Sequence, residues 1–391
     1  MKNKDSKKLI YMDHSATTPV DPRVAEIVSR TMLEQWGNPS SRYAKGNEAK
    51  LVLDGARQQV AGLLGADPGA IFFTSGGTEA DNMAVIGTMM AAKKSGKGNH
   101  LITSDFEHSA ISKSAQFLEE QGFRVTKLPV NPEGFVEPDR LIEAIRDDTA
   151  LVNLMHVNNE IGTIQPISEF GAICRERGIL FHTDAVQSFG KIPLDVSTMP
   201  LDLVSVSSHK IYGPKGIGAL YIREGIEIEP RVYGGGQEDK VRTGTENMPG
   251  IAGFGEAVRI CNELISTEQI ELAELRNLLL ESITESVKDD ILINGSMESR
   301  LGANLNLSFP GIEGESLLLS LDIDGIAASS GSACSSGSTE PSPVLLALGL
   351  DKETAQSSIR LTLGRSNTRE DILFVAERIG YHVNRLREFA F

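Results

Sequence analysis

The chain has 391 residues, 40% hydrophobic and 23% charged, which is the size and composition of a folded protein with one large and one smaller domain. Its net charge of −15 argues against a nucleic-acid-binding protein, and no apolar run approaches the roughly 20 residues that span a bilayer. The polar start and three widely spaced cysteines without a CxxC pair predict a cytoplasmic protein with no signal peptide, disulfide framework or zinc site.

Short apolar runs alternate with amphipathic segments over the first two thirds of the chain. Strands are predicted at 70–74, 100–103, 150–155, 178–182 and 202–207, and helices at 79–93, 109–121, 138–146 and 167–177. This alternation predicts an α/β fold with a mostly parallel sheet covered by helices on both faces. Ligands of such folds bind beyond the carboxyl ends of the strands, where the motifs below are found.

A long polar helix, predicted over 262–287, leads into a second unit. There, strands are predicted at 291–294, 304–308 and 358–363, and helices at 314–322, 342–348 and 369–388. This pattern predicts a smaller α+β domain. We place the large, cofactor-binding domain at 15–262 and the small domain at 1–14 together with 263–391.

The first motif is the segment Thr74–Asn82, TSGGTEADN. A strand ends, two glycines turn, and a helix begins with Thr78-x-x-Asp81, which is similar to a capping box. Free amides at a helix start, together with hydroxyls, can bind a phosphate, and Thr78 is the candidate ligand. The alternative is an ordinary helix cap after a tight turn, which is more common for such a motif alone.

Two further polar residues follow predicted strands. His108 can stack on a flat ring or transfer protons, although a histidine here can also be purely structural. Asn159, in Asn158-Asn-Glu-Ile-Gly162, can hydrogen-bond a cofactor oxygen or a substrate carboxylate, or it can serve the turn alone.

Asp184 follows the predicted strand that ends in Phe181-His-Thr. A buried aspartate is costly without a partner, and a protonated pyridine nitrogen would supply one while keeping the ring an electron sink. Gln187, three residues later, could contact the ring hydroxyl. Capping of a helix by Asp184 is the alternative.

Lys210 lies in Ser207-Ser-His-Lys210, directly after the predicted strand at 202–207. A lysine that forms a Schiff base needs a fixed position and a neutral amine. Ser207 and His209 flank it and could hold a phosphate. Lys215, in the glycine turn that follows, is the rival lysine and is expected to be solvated.

Cys334 lies in a Ser/Gly-rich loop, Ser329–Ser338, where no apolar pattern would bury it. An accessible cysteine in a loop with glycines is a candidate nucleophile. Cys174 and Cys261 fall in helix-like segments and are expected to be small core residues.

Arg360 alternates with Ile359, Leu361 and Leu363 on a predicted strand, so it points to the opposite face from these apolar side chains. A fixed guanidinium there could bind a carboxylate through two hydrogen bonds. A surface salt bridge is the alternative.

Together these motifs resemble the cysteine desulfurases, members of the class V aminotransferase group with the type I pyridoxal-phosphate fold. The resemblance runs nearly end to end and is carried by Tyr11–Pro19 (YMDHSATTP), Ser75–Asn82 (SGGTEADN), Val157–Gly162 (VNNEIG), Asp184–Ser188 (DAVQS), Ser207–Lys210 (SSHK), Arg242–Glu246 (RTGTE) and Ser329–Cys334 (SSGSAC). It implies a mostly parallel seven-stranded sheet in the large domain and pyridoxal 5′-phosphate as the cofactor.

The resemblance also implies a role for each matching residue. Lys210 would hold the cofactor covalently, and His108 would stack on its ring. The residues implied to bind the cofactor are Thr78, Asp184, Gln187, Ser207, His209, Lys210 and Thr245. Thr245 would reach the phosphate of the partner subunit, which implies a homodimer.

On the substrate side, Asn159 and Arg360 would bind the carboxylate of L-cysteine, and Cys334 would take its sulfur as a persulfide, leaving L-alanine. The long Ser/Gly loop is similar to the branch that supplies sulfur to acceptor or scaffold proteins, including those of iron–sulfur cluster assembly. No resident metal is expected, although Cys334 could contact a cluster transiently. Members of this branch often carry a longer C-terminal tail that docks a scaffold; this sequence stops at Phe391, soon after its last predicted helix.

Two other functions are compatible with parts of the pattern. A selenocysteine lyase or related β-eliminating enzyme on the same fold would not need a mobile cysteine. A cofactor-free binding protein derived from this fold would not need Lys210, Asp184 and His108 together, so their presence argues against it.

Overall fold

A computed structural model describes residues 8–287, 291–330 and 340–389. The strands are β1 (Ile10–Tyr11), β2 (Ile71–Thr74), β3 (His100–Ser104), β4 (Arg124–Leu128), β5 (Thr149–Asn153), β6 (Leu180–Asp184), β7 (Leu203–Ser207), β8 (Gly218–Ile222), β9 (Leu292–Ile293), β10 (Asn304–Ser308), β11 (Ile326–Ala327) and β12 (Ser358–Thr362). The helices are α1 (Pro22–Glu34), α2 (Ala44–Leu64), α3 (Gly77–Asn82), α4 (Thr88–Lys94), α5 (Ser109–Glu120), α6 (Pro138–Ala144), α7 (Ile167–Glu176), α8 (Met248–Leu264), α9 (Glu268–Ser286), α10 (Gly314–Ile323), α11 (Pro343–Ala347), α12 (Lys352–Gln356) and α13 (Arg369–Phe389).

The large unit is built on a seven-stranded sheet in the order β2-β8-β7-β6-β5-β3-β4. Neighbouring strands from β7 to β4 are parallel, whereas β8 runs antiparallel to both β2 and β7. The mostly parallel sheet predicted from the strand–helix alternation is therefore confirmed. The central strands are buried along their whole length because helices cover both faces.

Alternate residues of these strands enter two hydrophobic cores. Ile102, Val152 and Val204 pack with α1, α2, α7 and α8, whereas Leu101 and Leu151 pack with α3, α4 and α5. Cys174 and Cys261 are buried free thiols in the first core, so their prediction as core residues is confirmed.

The second unit is built on the antiparallel sheet β12-β10-β9 and the parallel pair β1-β11. Its own apolar core takes side chains from α9, α10, α13 and both small sheets. The start of the chain contributes Ile10 and Met12 to it. The domain limits at residues 15 and 262 stay a prediction.

The helix predicted over 262–287 is confirmed for most of its length by α9, but its first residues belong to a separate helix, α8. Helix α8 ends at Leu264 and α9 begins at Glu268; the carbonyl of Leu264 accepts hydrogen bonds from the amide of Thr267 (3.0 Å) and from its hydroxyl (3.3 Å). The two helices pack into different cores. The hydroxyl of Thr267 competes for the helical carbonyl at the break.

Candidate active site

The candidate site is built at the carboxyl ends of two adjacent parallel strands. β6 ends with Asp184 and β7 ends with Ser207, and a single 3₁₀ turn, Ser208–Lys210, follows β7. Because β6 and β7 pair in register through Asp184 and Ser205, the fold brings Asp184, Ser207 and Lys210 to one edge of the sheet.

Asp184 lies at the centre of this edge and is buried. Burial raises the pKa of its carboxyl, while His108, the amide of Val186 and Lys210 oppose that rise. Oδ1 accepts a hydrogen bond from the Val186 amide at 2.9 Å, so Asp184 also caps the turn that follows it. The alternative that Asp184 caps a helix is therefore wrong, because residues 186–190 form a turn.

His108 contacts the same region from the start of α5. Its Nδ1 accepts a hydrogen bond from the Ala110 amide at 3.2 Å, which places the ring proton on Nε2. One side-chain ligand atom from each of His108, Asp184 and Asp81 lies within 4.8 Å of the others. His108 is therefore both a structural cap and a partner of the buried carboxylates.

Two more carboxyl groups, Asp81 and Glu107, lie buried next to Asp184. Burial and the nearby Asp184 raise the pKa of Asp81 well above its usual value, and burial raises the pKa of Glu107 to about 8. Glu107 Oε1 accepts hydrogen bonds from the Ser104 hydroxyl at 2.6 Å and the Met155 amide at 3.0 Å. Burial therefore favours the neutral form of both acids. The sequence prediction did not include them as site residues.

Lys210 reaches from its turn to the segment that precedes α1. Its Nζ donates hydrogen bonds to the carbonyls of Ser15, at 2.5 Å, and Ala16, at 2.7 Å. Gln187 Nε2 donates to the same Ser15 carbonyl at 2.9 Å. Two of the predicted cofactor-binding residues thus meet at one carbonyl oxygen. Lys215 is exposed, as expected.

The glycine loop before α3 packs directly against this edge. A Cβ on Gly77 would lie 2.6 Å from Val186 Cγ2 and 3.7 Å from Ser207 Cβ, so only glycine permits the close approach. Thr78 is exposed in the first turn of α3. The loop therefore places Thr78 next to the end of β7.

The capping box predicted at Thr78 and Asp81 is wrong. The N-cap residue is Gly76, without a side-chain cap, and Asp81 is buried. Glu79 instead accepts the Ser75 amide at 2.5 Å. The continuous helix predicted over 79–93 also contains a π-helical turn, Met83–Gly87, between α3 and α4. Asp81 turns inward because this helical segment packs its face on the sheet.

Ser207 lies beside the glycine loop, and His209 directly precedes Lys210. Ser207 Oγ is buried and has no hydrogen-bond partner among the residues that the structure describes. His209 Nδ1 lies 3.1 Å from the Thr17 hydroxyl. Burial, together with Lys210, Lys215 and Lys191, lowers the pKa of His209 to about 4, so its ring is neutral.

Arg360 approaches from the second unit and is almost fully buried, so the surface-salt-bridge alternative is wrong. Its Nη2 forms an ion pair with Asp13 Oδ1 at 2.7 Å, and its Nη1 donates to the backbone carbonyl of Asn159 at 2.8 Å. Asp13 is a site residue that the sequence prediction missed, although it lies within the matching segment Tyr11–Pro19. In the turn that contains Asn159, the stabilising side-chain hydrogen bonds are made by its neighbour Asn158. The side-chain oxygen of Asn158 accepts hydrogen bonds from the backbone amides of Glu160 and Ile161.

Two predicted site residues are not brought to the strand ends by any described contact. Thr245 is exposed in the loop before α8. Cys334 lies outside the described residues, which stop at 330 and resume at 340. Their roles stay predictions.

The aminotransferase class-V family model matches residues 10–375. The chain belongs to this family. Curated relatives named "Cysteine desulfurase IscS" include one from Clostridium botulinum, 49% identical over 385 residues, covering 98% of this chain and 96% of the relative. Another, from Methanosarcina thermophila, is 49% identical and covers 98% of this chain and 94% of the relative.

Solved structures give the same family. A structure titled "NIFS-LIKE PROTEIN" superposes with a TM-score of 0.90 at 36% identity, covering 97% of this chain and 100% of that one. A NifS-like protein from Rickettsia africae superposes with a TM-score of 0.85 at 33% identity, covering 96% and 100%. The predicted family and fold class are therefore confirmed. Over residues 8–287, 291–330 and 340–389, no helix has the length and apolar character needed to cross a membrane.

Proposed function

We propose that this protein is a pyridoxal-phosphate-dependent cysteine desulfurase, which converts L-cysteine to L-alanine and leaves the sulfur as a persulfide on Cys334. The observation that carries the proposal is the placement of Asp184 and Lys210 at adjacent strand ends, with His108 beside them. The near-full-length similarity to proteins named cysteine desulfurase supports the choice of substrate.

The donors and acceptors at this edge fit pyridoxal phosphate. The buried Ser207 hydroxyl has no partner in the described parts of the chain and could donate to a phosphate oxygen. The Thr17 hydroxyl can donate to His209 Nδ1, which leaves Nε2–H as a second donor. Thr78 and the amides at the start of α3 would complete the phosphate contacts. Asp184 would hold the ring nitrogen protonated, and Gln187 would contact the ring hydroxyl.

When bound, the cofactor supplies an electron sink for the bonds around the substrate Cα. Lys210 would hold the cofactor through its Nζ atom. When not bonded to the cofactor, Nζ would accept the Cα proton of the substrate. In this structure the carbonyls of Ser15 and Ala16 accept hydrogen bonds from Nζ, and they would stabilise the ammonium that Lys210 becomes. His108 would stack on the ring and fix its plane.

Arg360 would bind the substrate carboxylate. Its guanidinium is held by Asp13 and the Asn159 carbonyl, so its position is fixed before substrate arrives. A carboxylate can pair with the guanidinium by competing with Asp13, and the Asn159 side chain would donate the second hydrogen bond.

Cys334 would take the sulfur. Its thiolate bonds to the substrate sulfur as the Cβ–S bond breaks, and the carbon receives a proton to give alanine. The bonded sulfur remains on Cys334, from which a sulfur-acceptor or scaffold protein, including one for iron–sulfur cluster assembly, would remove it. The protein would act in the cytoplasm as a homodimer in which Thr245 reaches the partner's cofactor phosphate.

The lysine assignment can be tested by borohydride reduction of the purified protein, followed by peptide mapping. We expect the visible absorbance band to disappear and the reduced adduct to map to Lys210. The exposed Lys215 and the half-buried Lys191 serve as internal controls, since both lie nearby in sequence or space. An adduct on either, or none, would overturn the proposal.

A further inference from the structure

The loop that precedes Thr245 contains an unusual backbone feature. Glu238, Asp239 and Lys240 are three consecutive non-glycine residues with left-handed φ angles of 45°, 50° and 70°. Each such residue is disfavoured because its Cβ crowds the backbone, and runs of them persist only where the surroundings hold them. The sequence offers no glycine at these three positions, so the contacts around the turn have to maintain it.

The main contact is a buried ion pair. The Glu238 side chain is only 3% exposed, and its two oxygens accept hydrogen bonds from Arg57 Nη2 at 2.7 Å and Nη1 at 2.9 Å. The same carboxylate accepts the backbone amide of Phe73 at 2.8 Å. Arg57 lies on α2 and Phe73 on β2. Glu238 therefore fastens the left-handed turn to the strand that ends just before the glycine loop and Thr78.

A second contact lies on the Thr245 side of the turn. Arg242 Nε donates to Glu79 Oε1 at 2.9 Å, and the other oxygen of Glu79 accepts the Ser75 amide at 2.5 Å. Gln237 Oε1 accepts the amide of Gly244 at 3.1 Å, which closes the loop on itself. The loop before Thr245 is thus joined to β2 through Glu238 and to α3 through Arg242.

We propose that Glu238 is a positioning residue, which holds the 237–245 loop in the shape that lets Thr245 contact the cofactor phosphate of the partner subunit. The inference rests on the proposed function, in which Thr245 has that role. It adds that the orientation of the exposed Thr245 depends on the buried carboxylate of Glu238, seven residues earlier, which is hydrogen-bonded to β2. Because β2 also leads into the subunit's own glycine loop, the same anchor ties the loop before Thr245 to that glycine loop within one subunit.

The left-handed turn explains why a change at Glu238 would affect Thr245. With the Glu238 charge removed, the hydrogen bonds that hold the left-handed turn weaken, and the chain can relax toward right-handed angles. Such a change redirects every residue downstream of it, including Thr245. Asp239 has nearly the same φ but is exposed, so it can lose its charge without loosening the turn.

The test compares three variants of the homodimer: E238Q, T245A and the double variant, with D239N as the matched control. Apoprotein is titrated with pyridoxal phosphate to measure Kd, and the phosphorus NMR resonance of the bound phosphate is recorded. We expect E238Q and T245A each to weaken binding by roughly tenfold, as for the loss of one charge-assisted contact. The double variant should be no weaker than the weaker single variant, and D239N should stay within about twofold of the parent, the scale of a surface substitution.

Phosphorus NMR separates positioning from general destabilisation. The resonance should move in the same direction in E238Q and T245A, whereas a variant that is merely less stable would have a lower Tm and an unchanged resonance. Should E238Q fail to fold, R57K is the second variant, because it keeps the charge but cannot make both hydrogen bonds to Glu238.

The outcomes distinguish this inference from the function on which it rests. A T245A variant with parental affinity and resonance would overturn the composite phosphate site, and the role of Glu238 with it. A T245A variant that binds weakly, beside an E238Q or R57K variant that binds normally or adds its full effect to T245A, would overturn the positioning role alone.

Discussion

Asp184 and Asp81 are two buried aspartates whose carboxyl oxygens lie within 4.8 Å of a common neighbour, His108, and of each other, yet different groups surround them. Asp184 has two basic neighbours, His108 and Lys210, and a backbone amide. Asp81 has the hydroxyl of Ser205 and, at 3.9 Å, the ring of His182, whose pKa burial lowers to about 3.

The comparison shows that burial alone does not select a functional carboxylate. Both groups are desolvated, so both have a raised pKa. The basic groups around Asp184 oppose the rise in its pKa, whereas only the Ser205 hydroxyl does so at Asp81, so Asp184 is the carboxyl better placed to pair with a pyridinium nitrogen. At Asp81 and Glu107 burial favours the neutral form, which adds no competing negative charge.

Replacing Asp184 by Asn gives the largest expected effect. The variant should retain much of its cofactor, because the side chain keeps its size and polarity, but turnover should fall by about 10²–10³-fold, as for the loss of one preorganised charge. Steady-state assay of alanine formation, with cofactor content measured on the same sample, checks this. Parental kcat with full cofactor would show that the charge of Asp184 has no role.

Replacing Glu107 by Gln should change how stability depends on pH. The folded pKa of about 8 lies above the usual 4.5, so the folded state holds a proton that the unfolded state has lost between these values. The wild type should therefore lose stability relative to E107Q as pH rises from 4.5 to 8, by at most about 1.4 kcal/mol per pH unit, with no further divergence above pH 8.

The difference in Tm between E107Q and the wild type, measured at several pH values, checks the sign. Only the change of this Tm difference with pH matters, not its absolute size. The buried histidines affect the pH dependence of stability equally in both proteins, so their contribution cancels. A difference that stays flat from pH 5 to pH 8 would mean that Glu107 is not held neutral.

Replacing Asp81 by Asn gives the smallest expected effect on turnover. Asn resembles a neutral aspartic acid in shape, so kcat should stay within about fivefold, well under 1.4 kcal/mol in activation free energy. The pH profile of kcat/KM should also keep its shape. If D81N instead matched the loss seen in D184N, the two aspartates would have the reverse charge assignment.

Residues that follow strands were predictable from the sequence, because the ends of apolar runs mark one edge of a parallel sheet. Asp184, Ser207 and Lys210 all lie where the alternation of strands and helices places them. The family resemblance supplied their roles, which local spacing alone left open.

Residues whose function depends on distant partners were not predictable in this way. Asp13 is 347 positions from Arg360, and Glu238 is 181 positions from Arg57. Asp81 was placed in a cap because its spacing from Thr78 matched a local motif, whereas the fold turns it toward Asp184. The available signal was the position of Asp81 shortly before the apolar run Met83–Gly87, which is buried.

The measurement that tests the account most directly is mass spectrometry of the holoenzyme after incubation with L-cysteine, with peptide mapping of any added sulfur. The account predicts one additional sulfur on Cys334, removable by a thiol reductant, together with formation of alanine. The buried thiols Cys174 and Cys261 are internal controls and should remain unmodified. Alanine formed at the parental rate by a Cys334→Ala variant, or sulfur found only on the buried cysteines, would contradict the account and favour a lyase that releases its product directly.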